Sequence, residues 1–149
     1  MTKSLPPKSL VLYADDDADD RELIREAFEE FSAMIDLITF GKASDLLNFL
    51  ENHTPLQSSP CLIILDVNMP GMDGKQALRK LRMMDPFKDV PVVMFTTSTL
   101  PSEAAFATAY GAGFVTKPLH TRQINQIIYE LMNHCTDEVK ERIRNQKGN

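Results

Sequence analysis

The chain has 149 residues, of which 43% are hydrophobic and 25% charged, and this is typical of one globular domain with a single core. Its formal net charge of -5 argues against a nucleic-acid-binding surface, which would be basic. No apolar run is long enough to span a membrane and the N-terminus lacks the apolar stretch of a signal peptide, so we expect a cytoplasmic protein with no membrane partner.

The first half of the chain alternates short apolar runs with segments of helical period. The runs at 9–14 and 36–40 each predict a strand. After each strand, apolar residues recur three and four positions apart, as on one face of a helix. The first set is Leu23, Ile24, Ala27, Phe28 and Phe31, and the second is Ala43, Leu46, Leu47 and Leu50. A polar loop with two prolines follows at 53–60.

A continuous apolar run at 61–65 predicts a third strand that ends at Asp66. The third helix is expected to begin near Gly74 and to stop before Pro86, because the residue before a proline is biased away from helical conformation. Its inward-facing residues are Ala77, Leu78 and Leu81.

Two further strands are predicted at 91–96 and 113–116. Between them, Pro101 suits the first turn of a helix and Gly111 the position just past its end. A fifth helix is predicted from a capping residue, His120 or Thr121, and an apolar face made of Ile124, Ile127, Ile128 and Leu131.

These elements place a single domain at 9–134, with a tail at 1–8 and a charged extension at 135–149 that is either helical or disordered. The cysteines, Cys61 and Cys135, form no CxxC pattern, so neither a disulfide framework nor a zinc site is indicated. Cys61 opens an apolar run and is expected to be a buried small hydrophobe.

Strands that are apolar throughout are covered on both faces, so five of them alternating with five helices predict a parallel, doubly wound α/β sheet. In such sheets the reactive site lies beyond the carboxyl ends of the strands. This rule selects the residues that follow the strands or end them: Asp15, Asp16, Asp66, Thr96 and Lys117.

Five aspartates fall within residues 15–20, and two carboxylates 4 Å apart repel each other by about 4 kcal/mol at an effective dielectric constant near 20. With Asp66 nearby, such a cluster needs a cation, and Mg²⁺ suits its oxygen ligands. A bound cation would also let Asp66 accept a phosphoryl group, whose oxygens Lys117 and Thr96 could hold.

Each of these residues also has a structural interpretation. Aspartates ahead of a helix cap it, and this role is assigned to Asp17, Asp19 and Asp20. Taken singly, Asp15 and Asp16 could be capping or solvent-exposed residues. Asp66 and Thr96 could be ordinary strand ends, and Lys117 could be a solvated surface lysine. Their joint placement at one sheet edge favours a site.

The sequence resembles the receiver domain of two-component response regulators, a CheY-like family, over about residues 9 to 134. The most specific stretch is LDVNMPGMDG at 65–74. The segments YADD, MFTTS and FVTKP, at 13–16, 94–98 and 114–118, match the other family motifs in the right order. The resemblance implies a flavodoxin-like fold with strand order 2-1-3-4-5.

The resemblance also implies a role for each site residue. Asp66 is the phosphoacceptor, and Asp16 is a direct Mg²⁺ ligand. Asp15 holds the metal largely through water, and the backbone carbonyl of Asn68 supplies a further ligand.

Other motif residues respond to phosphorylation in this family. Thr96 hydrogen-bonds a phosphoryl oxygen and moves inward, and Lys117 pairs with the phosphoryl group. The bond from Lys117 to Pro118 is typically cis. Phe114 occupies the aromatic switch position, whose ring turns inward when the threonine moves.

Some positions depart from the commonest family pattern. Phe114 lacks the frequent tyrosine hydroxyl, so a switch there acts through packing alone. Thr97 stands where a smaller residue is common. The long loop at 53–60 and the extended carboxyl end resemble small receivers that act beside bacterial phytochromes. Asn68 and Ser98 occupy positions that tune dephosphorylation.

The expected function is that of a stand-alone phosphorylation switch and not of an enzyme with turnover. Such a switch catalyses its own phosphotransfer from a histidine kinase or phosphotransfer protein, and also its own dephosphorylation. The resemblance places the readout to a downstream protein on helix 4, strand 5 and helix 5. The candidate contact residues there are Tyr110, Phe114, His120, Arg122 and Asn125. A homodimer through this face is a further alternative.

Two other functions remain open on the sequence. A Mg²⁺-dependent phosphatase of the haloacid dehalogenase type also uses a strand-end aspartate, but it would want an aspartate where Asn68 stands. An adaptor that ignores phosphorylation would retain the acidic site for stability alone.

Overall fold

A single sheet of five parallel strands organises the chain, as seen in a computed structural model that describes residues 8–53, 59–117 and 124–134. The strands are β1 Ser9–Ala14, β2 Ile35–Phe40, β3 Leu62–Asp66, β4 Val92–Thr96 and β5 Gly113–Thr116. The helices are α1 Ala18–Phe28, α2 Ala43–Glu51, α3 Gly74–Leu81, α4 Pro101–Ala109 and α5 Ile124–Met132. Two 3₁₀ turns lie at Glu29–Phe31 and Asp85–Phe87.

The strand order is β2-β1-β3-β4-β5, with every neighbouring pair parallel. The predicted flavodoxin-like, doubly wound fold is therefore confirmed. In the register of the sheet, Ala14 lies beside Leu65 and Thr96 beside Thr116. The carboxyl ends of β1, β3, β4 and β5 consequently meet at one edge, as the topology requires of parallel strands.

Alternate strand residues point into two apolar cores, one on each face of the sheet. On one face Tyr13 and Ile64 pack with α1 and α5, and on the other Leu12 and Leu65 pack with α2, α3 and α4. All residues of β3 and β4 are buried, which explains why these strands are apolar throughout.

The predicted helix boundaries follow from local capping. Asp17 is the N-cap of α1 and accepts hydrogen bonds from the backbone N–H groups of Asp19 and Asp20. Pro101 opens α4, and Gly111 follows its end with a φ of 68°, in the left-handed region that glycine adopts readily.

Some predicted boundaries differ by a few residues. Phe31 is buried as expected, but it lies on a 3₁₀ turn after α1 ends at Phe28. Cys61 is buried and donates its backbone N–H to the Leu10 carbonyl, although β3 itself begins one residue later. The expected cap at His120 or Thr121, most of the loop at 53–60 and the extension at 135–149 lie outside the described residues.

α3 approaches the end of β3 unusually closely, and a glycine permits it. The N–H of Gly74 donates a 2.9 Å hydrogen bond to the carbonyl of Val67. A Cβ added at Gly74 would lie 2.9 Å from the Cα of Val67 and closer still to the carbonyl oxygen of Asp66. The first turn of α3 thereby sets the position of the segment that follows Asp66.

Arg82, just past the end of α3, joins three segments of backbone. Its guanidinium donates to the carbonyls of Tyr110 at 2.7 Å, Val90 at 2.8 Å, and Lys88 and Gly111 at 3.1 Å each. The end of α4 and the connection into β4 are thus held against α3. In the described part of the chain, no helix is both long and apolar enough to cross a membrane.

Candidate functional site

The ends of three strands bring charged side chains into one cluster. One carboxylate oxygen from each of Asp15, Asp16 and Asp66 lies within 4.8 Å of the others. The ammonium of Lys117 lies 3.5 Å from Oδ2 of Asp66. The sequence separates these residues widely, and the parallel sheet places them together.

Asp15 is fully buried, and protein donors surround its carboxylate. Oδ2 accepts hydrogen bonds from the Tyr13 hydroxyl at 2.5 Å and from the Lys117 ammonium at 2.7 Å. Oδ1 accepts the backbone N–H of Asp17 at 2.9 Å. Burial, followed by the charge of Asp15, raises the pKa of Tyr13 above its usual value, so its hydroxyl remains a proton donor.

Lys117 is the cation of the cluster. Its ammonium contacts Asp15, Asp20 at 2.8 Å and, at the longer distance given above, Asp66. It also lies 5.7 Å from the centre of the Phe95 ring. Burial alone would lower the pKa of Lys117, but the hydrogen bonds to Asp15 and Asp20 outweigh it and hold that pKa above its usual value. Lys117 therefore remains charged.

Asp66 stands at the end of β3 with only 6% of its surface exposed. Burial and then the charge of Asp15 raise its pKa to about 7, against the opposing effects of Lys117 and the backbone N–H of Asn68. A carboxyl with this pKa is only partly ionised near neutral pH. A divalent cation bound at the cluster would favour its ionised, nucleophilic form.

Thr96 ends β4 and is fully buried. Its carbonyl accepts the Lys117 N–H at 2.7 Å, which aligns the ends of β4 and β5. Its hydroxyl accepts the N–H of Ser98 at 3.1 Å. Thr97 is exposed, and Phe114 is half-buried against the core on the α3 and α4 side.

The structure therefore brings the predicted strand-end residues to the carboxyl edge of the sheet, but they differ in how far they are buried. Asp16 is exposed, as is the side chain of Asn68, whose N–H contacts Asp66. The roles assigned to them, including metal ligation by the Asn68 carbonyl, remain predictions. The peptide bond after Lys117 involves a residue outside the described part, so its cis geometry also remains a prediction.

Two members of the cluster were not predicted. Asp20, assigned to helix capping, instead directs its carboxylate to Lys117, and Tyr13 donates to Asp15. Side chains in the first turn of a helix lean toward its N-terminus, so Asp20, three residues after the N-cap Asp17, could have been recognised from its position. The pattern of β1 places Tyr13 in the core, and only the fold shows where its hydroxyl points.

The donor set fits a hard divalent cation. Asp15, Asp16 and Asp66 offer carboxylate oxygens only, and the exposed Asp16 leaves one side open to water or a phosphoryl oxygen. Oxygen ligands alone do not distinguish Mg²⁺ from Mn²⁺.

A parallel sheet in this order, with a buried aspartate at the end of β3, an acidic pair after β1 and a lysine after β5, is the arrangement that the receiver motifs predict. The family model for the response regulator receiver domain matches residues 11–129. The chain belongs to this family, as its motifs predicted. Membership favours the receiver over the alternative phosphatase.

Curated relatives agree with this assignment. The chain is 34% identical to the response regulator Rcp1 of Synechocystis sp. over 98 residues, which is 64% of this chain and 66% of Rcp1. It is 30% identical to the two-component response regulator ARR17 of Arabidopsis thaliana over 131 residues, 83% of this chain and 84% of that protein. Only 29% of a third relative, the cyclic di-GMP phosphodiesterase response regulator RpfG of Xanthomonas campestris, is matched.

Solved structures show the same fold. The phosphorylated cyanobacterial phytochrome response regulator RcpA has a TM-score of 0.78 at 22% identity, covering 89% of this chain and 96% of RcpA. The Mn²⁺-bound form of Rcp1 has a TM-score of 0.74 at 23% identity, covering 85% of this chain and 93% of Rcp1. At these identities both likenesses show the fold alone.

Proposed function

We propose that this chain accepts a phosphoryl group on Asp66, with Mg²⁺ held by Asp15, Asp16, Asp66 and the carbonyl of Asn68. The donor is a phosphohistidine of a histidine kinase or of a phosphotransfer protein. The observation that carries the proposal is the cluster itself: three carboxylates within 4.8 Å, with an ammonium 3.5 Å from the acceptor carboxylate.

In the proposed step, a carboxylate oxygen of Asp66 attacks phosphorus and forms an acyl phosphate. The bond from phosphorus to the donor imidazole nitrogen breaks, and that nitrogen keeps the electron pair and later takes a proton. The divalent cation neutralises phosphoryl oxygens when bound. Lys117 holds a second oxygen through a charge-assisted hydrogen bond, and the Thr96 hydroxyl holds a third.

Lys117 is already close enough for this role. It lies nearest to Asp15 and Asp20, and its contact with Asp66 is the longest of the three. A phosphoryl group on Asp66 would add anionic oxygens beside the ammonium. The lysine then needs only a small shift from one set of anions to another.

The phosphorylated form is proposed to change its affinity for a partner. Thr96 would move toward the phosphoryl group, and the half-buried Phe114 ring would turn inward. The readout would be carried by α4, β5 and α5, where Tyr110 is also half-buried. A few kcal/mol of differential stabilisation suffice for such a switch. Asn68 and Ser98 would then tune hydrolysis of the acyl phosphate by water.

Labelling with acetyl phosphate and Mg²⁺, followed by intact mass measurement, tests the acceptor. We expect one phosphoryl group per wild-type chain and none on Asp66→Asn. The matched control is Asp36→Asn, which alters an exposed carboxylate on β2 and should label as the wild type does. Labelling of Asp66→Asn at the wild-type rate would overturn the proposal, and so would sustained turnover of a phosphomonoester.

A further inference from the structure

The charges of α3 differ from those of the rest of the chain. From Gly74 to Arg82 the helix and its cap residue carry Lys75, Arg79, Lys80 and Arg82 and no acid, whereas the whole chain has a net charge of -5. Arg79 and Lys80 are exposed, and Lys75 is half-buried. The outer face of α3 is therefore a local cationic surface on an acidic protein.

Three cations of this face form no ion pair within the part of the chain that the structure describes. Among residues 8–53, 59–117 and 124–134, the ion pairs within 4.0 Å involve Lys8, Arg25 and Lys117, and none involves Lys75, Arg79 or Lys80. Their positive charge is thus available to an external anion.

Two of the cations lie against aromatic rings on α4 and at its C-cap. The guanidinium of Arg79 lies 5.5 Å from the centre of the Phe106 ring and 6.0 Å from that of Tyr110, and its Nε donates to the Tyr110 hydroxyl at 3.3 Å. Lys75 lies 5.9 Å from the Phe106 ring. Such contacts restrict the rotamers of the cations, so less conformational entropy is lost when an anion binds.

A groove of about 450 Å³ runs beside these cations and is lined by Gly71, Met72, Gln76, Arg79 and Lys80. Gly71 has a φ of 75°, and a Cβ built there would meet nothing within 4 Å, so this end of the groove is open. Met72 supplies a half-buried, adaptable apolar wall. The groove therefore combines two cations with an apolar surface.

We propose that this groove docks an acidic peptide segment of a partner protein. Its carboxylates would pair with Arg79 and Lys80, and an apolar side chain would contact Met72. Charge complementarity favours an acidic peptide, because the groove itself is cationic. A nucleic acid is a less suitable anion, because the net negative charge of the chain would repel its extended phosphate backbone. An extended peptide also suits an open groove better than a small anion, which would need a more enclosed site.

The test uses the full ¹⁵N-labelled chain and a synthetic heptapeptide of glutamate and leucine, with the same peptide carrying glutamine for glutamate as control. We expect the amide signals of Gly71, Gln76 and Arg79 to shift with the acidic peptide and not with the neutral one. Arg79→Gln should weaken binding about fivefold or more, since it removes a charge-assisted contact. Lys42→Gln, at the exposed N-cap of α2, removes the same charge elsewhere and should leave the affinity within about twofold.

Three results would overturn the proposal. One is the absence of shifts at the groove at millimolar peptide, and another is equal binding by Arg79→Gln and the wild type. The third is that inorganic phosphate or a short single-stranded oligonucleotide produces the same shifts at the same concentration. Asp66→Asn should bind the peptide as the wild type does, so failure of the phosphoacceptor proposal would be distinguishable from failure of this one.

Discussion

The ammonium of Lys117 donates a 2.7 Å hydrogen bond to Oδ2 of Asp15, across 102 positions of sequence. Both side chains are buried, with 9% and 0% of their surfaces exposed. The lysine thereby supplies positive charge to the acidic cluster. This contact explains how the domain tolerates neighbouring carboxylates, and it makes several measurable predictions.

Lys117→Met should destabilise the metal-free domain by about 2–4 kcal/mol, because it leaves buried carboxylates without their cation. Added Mg²⁺ should restore part of that loss and should stabilise the variant more than the wild type. Urea unfolding with chelator and with Mg²⁺ measures both effects. Lys42→Met, at an exposed position, is the control, and an equal response of both variants to Mg²⁺ would contradict the prediction.

The raised pKa of Asp66 predicts a pH dependence of stability. A carboxyl with a higher pKa in the folded than in the unfolded state binds more protons when folded, so stability falls as pH rises between the two values. For Asp66 this window runs from 3.8 to about 7. Metal-free Asp66→Asn should therefore exceed the wild type in stability by about 1–3 kcal/mol near pH 8 and lose that advantage near pH 4.

Urea unfolding across this pH range, with chelator present, checks the pH prediction. Asp36→Asn serves again as the control, since its exposed carboxyl should leave the pH profile unchanged. A constant difference between Asp66→Asn and the wild type at every pH would mean that the pKa of Asp66 is not raised by the fold.

Asp16→Ala should weaken Mg²⁺ binding by about tenfold or more, because it removes one of the three carboxylates of the cluster. It should also raise the stability of the metal-free domain slightly, since it relieves repulsion with Asp15 and Asp66. Calorimetric titration with Mg²⁺ measures the affinity. Asp19→Ala, one of the exposed aspartates on α1, is the matched control, and equal affinities of the two variants would argue against a ligand role for Asp16.

Gly74→Ala should destabilise the domain by about 2 kcal/mol or more, because the new methyl group meets the backbone of Val67 and Asp66. It should also slow labelling by acetyl phosphate, since the end of β3 must shift. Gly41→Ala is a suitable control, because a Cβ there lies 3.5 Å from the Arg21 side chain, an ordinary contact. Equal midpoints of thermal unfolding for both variants would refute the close-approach argument.

Arg82→Met should lower stability by about 2–3 kcal/mol, because it deprives partly buried carbonyls of their donor. Arg82→Lys should recover little, since an ammonium cannot reproduce the planar fork that reaches Tyr110 and Val90 together. Urea unfolding measures both. Arg79→Met, which alters an exposed neighbour, should change stability by less than about 1 kcal/mol.

The local pattern of the sequence was sufficient for the order of elements. Strands such as 61–65 are apolar throughout because both faces of the sheet are covered, and Pro101 and Gly111 restrict where a helix can begin and end. The family motifs added the strand order, which the structure confirms, and the prediction that Asp66 is the acceptor. The positions of strands and helices depend on backbone preference and on the periodicity of burial. Residues close together in the chain largely determine both, so a sequence pattern can predict them.

The chemistry of the site depended on contacts between distant segments. Asp20 shares Lys117 with Asp15 across 97 positions of sequence, and this follows only from the assembled sheet edge. The Tyr13 hydroxyl donates to Asp15 only two residues away, but the packing of the core decides where it points. The raised pKa of Asp66 likewise results from burial and from the charge of Asp15. Sequence alone determined most of the ionisable groups that reach the sheet edge. The tertiary structure added Asp20 and Tyr13 and decided the partners and charge states of the whole cluster, because desolvation and Coulomb energies depend on distance in space.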